Sequence, residues 1–218
     1  ITNSVEKLVS IDAGQTFQTI AGFGASDCWS PAFVGKSWTS HRAGITELLF
    51  SSEIVGGKPK GIGLSQWRVN LGGGSAAQGE ACGIEDKSRR AESYLTDDLT
   101  YDWTRCEGQR YFMDRAKELG CNNFVLFSNT PPVQYTYNGK GFSARGGLSN
   151  LKPEHYGDFA GYMADVAARY TAEGYHISHI SPVNEPQYNW DSGQEGSGWT
   201  NDEVAALARE LDMSLDDR

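Results

Sequence analysis

An α/β fold on a parallel sheet is predicted by three observations. Short apolar runs of strand length alternate with amphipathic stretches of helical period, and the alternation repeats in four βα units. Each unit places polar and aromatic residues after its strand and before its helix: Asp27 and Trp29, Arg68 and Asn70, Asn129 and Tyr135, Asn184 and Glu185. The 218 residues, 39% of them hydrophobic, suffice for one domain with a sizeable core. An open doubly wound sheet and half of an eight-stranded barrel both carry ligand groups at the carboxyl ends of parallel strands, so the pattern alone leaves the two open.

The elements follow in order. Val5 to Ile11 alternates as a leading strand, Asp12-Ala-Gly14 turns it, and a second strand is expected near Phe17 to Gly22. In Gly22-Phe-Gly24-Ala-Ser-Asp27-Cys-Trp29 small residues permit close backbone approach. The stretch is not a dinucleotide fingerprint, because the third glycine is missing and no helix is expected to open directly on it. Ser40 is placed to cap a helix with Ile45, Leu48 and Leu49 on one face, ending before Gly56-Gly57. Ile62 to Asn70 reads as a strand. A long Gly-rich and charged loop then runs from Leu71 to about Asp102, a length that usually serves a purpose. A helix from near Glu107 stops at Gly120. Asn123 to Ser128 is a strand ending in Asn129-Thr-Pro-Pro132. Pro153 precedes a helix with Tyr156, Phe159, Tyr162, Met163, Val166 and Tyr170 on its apolar face. His176 to Val183 alternates as the fourth strand, and Thr200-Asn-Asp-Glu203 is a capping box for a last helix carrying Val204, Leu207 and Leu211.

Composition excludes several function classes. The net charge is −9 and no basic run exceeds Arg89-Arg90, which argues against a nucleic-acid or anionic-membrane surface. No segment reaches the roughly twenty apolar residues of a membrane span. Ile1-Thr-Asn-Ser4 is compatible with a mature terminus left after a signal is removed, so a secreted, periplasmic or cell-surface location stays open. Cys28, Cys82, Cys106 and Cys121 match no zinc spacing. They are read as free thiols, with Cys82 and Cys106 the pair to examine and Cys121 buried at the foot of a strand. His41 and His155 fall near helix starts and His176 and His179 on opposite faces of one strand, so none marks a metal site.

Ile180-Ser-Pro-Val-Asn184-Glu185-Pro186 ends an apolar run with a carboxylate, where a parallel barrel exposes its active face. Tyr188, Trp190 and Trp199 follow, and aromatic rings here are expected to screen Glu185 from water and raise its pKa. Aromatic rings beside amides and carboxylates suit sugars, whose C–H faces stack while their hydroxyls take hydrogen bonds.

On Gly22-Phe-Gly24-Ala-Ser26, Arg68-Val-Asn70, Ser128-Asn-Thr-Pro-Pro132 and Ser181-Pro-Val-Asn184-Glu185-Pro186, the chain resembles glycoside hydrolase family 30, retaining glycosidases with a (β/α)8 TIM barrel. The resemblance implies the first four βα units of that barrel at residues 15–218, and a segment of a side β-sandwich at residues 1–14. It makes Glu185 the general acid/base and gives Asn184 the sugar 2-hydroxyl. It sets Arg68 beside the nucleophile, and Asp27, Trp29 and Asn129 along the subsite for the non-reducing sugar. Tyr188 and Trp190 join as substrate-binding candidates. Family substrates include β-1,6-glucan, β-1,6-galactan, xylan and glucosylceramide; galactanase-like or gut-bacterial members are nearest, and a β-1,6-galactan or β-1,6-glucan is the expected substrate. No metal or organic cofactor is implied.

The resemblance also marks a gap. Retaining hydrolysis takes two carboxyl groups about 5 Å apart, and the family's nucleophile lies on a seventh strand outside these residues. The remaining half of the barrel, in the same or another chain, is therefore an expected partner. Asp191 and Glu195 are the candidates within the chain for a second acid, though opposed attack and protonation normally come from different strands; loop hydrogen bonding is their plainer role. Three alternatives stand beside the hydrolase: a non-catalytic carbohydrate-binding half-barrel, two half-barrels paired as a dimer, and an open-sheet nucleotide protein.

Overall fold

Strand β1 (Gly24–Ser26) lies at one edge of a four-stranded sheet, followed by β4 (Gln66–Asn70), β5 (Asn123–Phe127) and β6 (Ile177–Ser181), all parallel. This computed structural model describes residues 8–218. Spatial order follows chain order with no reversal among the described residues, as in the first half of a (β/α)8 barrel. Among the described residues the sheet does not close. A small hairpin, β2 (Ile54–Val55) with β3 (Lys58–Pro59), accounts for the Gly56-Gly57 turn.

Helices α1 (Ser30–Ser37), α2 (Arg42–Phe50), α3 (Glu107–Glu118), α4 (Tyr156–Ala172) and α5 (Asn201–Asp216) complete the units. Register explains how the sheet serves two purposes. Trp67, Phe124 and Ile177 share one row and Val69, Leu126 and Ile180 another. In the two middle strands these rows are dry: Trp67, Val69, Phe124 and Leu126 are essentially inaccessible. Against them pack Phe112, Met113 and Ala116 of α3 and Phe159, Met163, Val166 and Tyr170 of α4, each set recurring at helical spacing. Phe112 stacks on Trp67, which in turn meets Phe50 of α2 edge-on at 4.9 Å. The alternate rows, Ser26 with Arg68, Val125 and His179, and Asn70 with Phe127 and Ser181, carry the polar groups.

Several sequence expectations hold. The helix from Glu107, the strand from Asn123 and the capping box appear as read: Thr200 Oγ1 accepts from Glu203 N at 3.3 Å, and Glu203 Oε2 accepts from Thr200 N at 2.8 Å. Cys121 is buried just before β5, and all four cysteines are free, Cys82 and Cys106 included.

Others are corrected. Of the leading strand Val5–Ile11, residues 5–7 lie outside the described residues and Leu8 to Ile11 form no strand; the Asp12 turn does form, with Gly14 N donating to Asp12 Oδ1 at 2.9 Å. The next strand is at Gly24–Ser26, not Phe17–Gly22; Phe17 and Ile20 stay exposed. Close packing decides this register, since a Cβ on Gly24 would sit 2.8 Å from the Gln66 side chain. A helix does open directly after Trp29, with Pro31 in its first turn. Ser40 does not cap α2: its Oγ lies 2.9 Å from His41 Nδ1, and His41 occupies the cap position. The expected strands Ile62–Asn70 and His176–Val183 shorten to the residues that find partners.

Candidate functional site

The carboxyl ends of the four strands bring together Asp27, Arg68, Asn70, Asn129, Asn184 and Glu185. Arg68 leaves β4 on the polar face, lies over the Phe127 ring at 3.3 Å, and donates through Nη2 to Asn184 Oδ1 at 2.7 Å. Burial lowers its pKa, opposed by the neighbouring acidic groups, the Asp27 and Glu185 carboxyls among them. A guanidinium can only donate, so it fixes the Asn184 amide with oxygen toward Arg68 and nitrogen free to donate elsewhere. Asn129 Nδ2 meets Asn70 Oδ1 at 3.3 Å and Cys28 Sγ at 3.2 Å. Each of these asparagines is thus anchored by one end of its amide.

Asp27 is 1% exposed, and both its oxygens are engaged inside the chain: Oδ1 accepts from Asn70 N at 2.9 Å and Oδ2 from Gln109 Nε2 at 2.6 Å. Burial pushes its pKa to about 7, against the lowering pull of those bonds and of Arg68. A cavity of ≈ 220 Å³ adjoins it, walled by Trp29 at the start of α1 and Phe33 within it and floored by Asp27, Asn70 and Gln109. Trp29 is half-buried there.

Glu185 is exposed, and the enclosing aromatic cage foreseen for it does not form. Trp190 and Trp199 turn inward, 5% and 4% exposed, because the loop after β6 folds back on itself. Trp190 Nε1 donates to Glu185 O at 3.2 Å and Trp199 N to Pro186 O at 2.8 Å. Tyr188 alone remains outside, 59% exposed and edge-on to Trp190. These bonds hold Glu185 at φ 43°, a left-handed conformation that costs a non-glycine residue on the order of 1 kcal/mol or more and recurs at functional sites.

Glu195 is wholly buried, its carboxylate accepting from Gly73 N at 2.8 Å and Ser75 N at 3.0 Å. It ties the loop after β6 to the loop after β4, while Asp191 stays exposed. Burial raises the Glu195 pKa, with its hydrogen bonds pulling the other way.

Reading the sequence alone misses Gln109. A signal existed: the buried positions of α3 run 109, 112, 113 and 116, so this amide falls in an otherwise apolar stripe. Among the described residues no group of three or more His, Cys, Asp or Glu side chains is arranged to hold a metal, and no helix is long and apolar enough to cross a membrane.

The model of O-glycosyl hydrolase family 30 matches residues 6–218, and the chain belongs to that family. An endo-beta-1,6-galactanase of Hypocrea rufa is 26% identical over 230 residues, covering 96% of this chain and 47% of the galactanase. A conserved exported protein from Bacteroides fragilis superposes with TM-score 0.89 at 36% identity, over 95% of this chain and 43% of that one. The catalytic domain of GH30 xylanase C from Talaromyces cellulolyticus matches at TM-score 0.63 and 19% identity, a likeness of fold, covering 94% of this chain and 45% of that one. The chain spans less than half the length of each.

Proposed function

We propose that this family 30 chain forms the first half of the catalytic barrel of a retaining β-glycoside hydrolase, acting outside the cytoplasm on a β-1,6-linked galactan or glucan. The observation that carries the reading is the Arg68–Asn184 hydrogen bond, which presents an amide donor beside Glu185 at the fourth strand end. In this reading the free Asn184 nitrogen binds the sugar 2-hydroxyl. Glu185 protonates the departing glycosidic oxygen while a carboxylate from the remaining half of the barrel attacks the anomeric carbon. Glu185 then takes a proton from water, which releases the sugar from its covalent intermediate.

Trp29, Asn129 and Tyr188 supply the sugar contacts. Asp27 acts from behind them, and Trp190 shapes the loop. The likeness to a β-1,6-galactanase favours the galactan linkage, and the likeness to an exported protein favours secretion to the periplasm, cell surface or medium. The need for a second half is supported by β6, whose outer edge is unpaired among the described residues and bordered by a ≈ 540 Å³ groove lined by Ala164, Ala168, Ile177, Ile180 and Leu215.

Glu185→Gln in the full-length protein tests the assignment. Turnover of β-1,6-galactan should fall by about 10²–10⁴-fold, the worth of general acid–base catalysis, with sugar affinity retained. Near-normal turnover by that variant would remove Glu185 from the mechanism.

A further inference from the structure

Asn70, at the end of β4, has both backbone polar groups held from outside the sheet. Its N–H donates to Asp27 Oδ1 at 2.9 Å, and its carbonyl accepts from Gln109 Nε2 at 2.8 Å. The same nitrogen donates to Asp27 Oδ2 at 2.6 Å, so one carboxylate and one amide close a ring around the strand end. Gln109 reaches this place because α3 crosses α1 at glycine: a Cβ on Gly108 would lie 2.0 Å from Ala32 O, and one on Gly35 would lie 2.1 Å from Gly108 O. The ring continues outward through Asn70 Oδ1, which accepts from Asn129 Nδ2.

We propose that Gln109 is a positioning residue for sugar binding: with Asp27 it clamps Asn70, and through Asn70 it fixes how the Asn70 and Asn129 amides meet the sugar. The inference rests on the reading of these strand ends as a sugar site, and it assigns the work to a side chain in the buried stripe of a helix.

The chemistry of the ring adds a dependence on pH. Ionised Asp27 accepts from both donors at once. Protonation removes the charge and one acceptor site, so both bonds weaken from charge-assisted to neutral and the clamp loosens without any group having to turn. The charged and titratable groups around the carboxylate are Arg68 from β4, Cys28 from its own turn and Cys106 from the start of α3; Lys36 of α1 pairs instead with Glu92 at 2.5 Å. Burial places the Asp27 transition at about 7, so the clamp completes itself across neutrality.

The test is calorimetric binding of a β-1,6-galacto-oligosaccharide to full-length protein carrying Glu185→Gln, from about pH 5.5 to about pH 8.5. Affinity should tighten as pH rises through about 7. Adding Gln109→Met, which keeps the bulk and removes the donor, should weaken binding by about tenfold and move the step to higher pH. Adding Asp27→Asn should abolish the step. A Gln109→Met protein that binds with the parent's affinity and pH profile would overturn the proposal.

If the parent binds no galactan, the substrate reading fails and the clamp is judged from stability against pH. A carboxyl raised from 3.8 to about 7 contributes stability that is full below its ordinary value and lost as pH rises through about 7. Gln109→Met should extend that loss to higher pH and Asp27→Asn should remove it; an unchanged curve in Gln109→Met would equally sink the idea.

Discussion

Strands β5 and β6 are neighbours of equal length, yet they live in different surroundings. Phe124 and Leu126 of β5 are inaccessible, with α3 and α4 laid over them, whereas Ile177 and Ile180, on the same rows one strand across, are only half-buried. The strand ends differ in the opposite sense. After β4 and β5 the polar groups are held in a network of Asp27, Gln109, Asn70 and Asn129, with the two asparagines at its outer end; after β6 the chain presents Glu185 to solvent on a strained backbone. Rigid support and reactive group are thus held on different strands.

The largest effect should come from the middle of the sheet. Phe124→Ala in the full-length protein should cost about 3–5 kcal/mol in denaturant unfolding. Ile180→Ala sharpens the contrast: if a second half of the barrel covers β6, its cost rises to about 2–5 kcal/mol, whereas a cost near zero would mean that this edge stays open and the barrel reading is wrong.

Next in size is the strap between the two site loops. Glu195→Ala leaves the Gly73 and Ser75 N–H groups buried without an acceptor, at about 1–3 kcal/mol each. Stability and sugar affinity should fall together, and a variant that loses neither would show that solvent reaches these groups. Smallest is Tyr188→Ala. An exposed ring contributes little to folding, so stability should change by no more than about 0.5 kcal/mol while oligosaccharide affinity falls severalfold. Unaltered affinity would take Tyr188 out of the sugar site.

The locally encoded part of the fold was legible from residue type and spacing. Thr200 and Glu203 bond only to each other's backbone and side chain, so their capping box reads correctly without knowledge of anything distant. The alternation in Asn123 to Phe127 and the stripe on α4 were equally plain, because one period sets which face is buried. Asn184-Glu185 at a strand end was visible for the same reason.

What the sequence alone determined was therefore the order of the βα units and which polar groups stand at their ends. What only the tertiary structure decided was which of those groups face the solvent and which become scaffolding. Asp27 looked like a group lining the site; it forms the buried floor of the adjoining cavity, its oxygens taken by partners 43 and 82 residues along the chain. Trp190 and Trp199 looked like a screen for Glu185 and fold inward, because the loop's own carbonyls, at Glu185 and Pro186, draw their N–H groups back. The short β1 went to Gly24–Ser26 for a similar reason: contact with Gln66, 42 residues further on, outweighs the apolar character of Phe17 to Ile20. Hydrophobic period is a property of neighbours in sequence. The burial of one carboxylate depends on donors that only the closed fold brings to it.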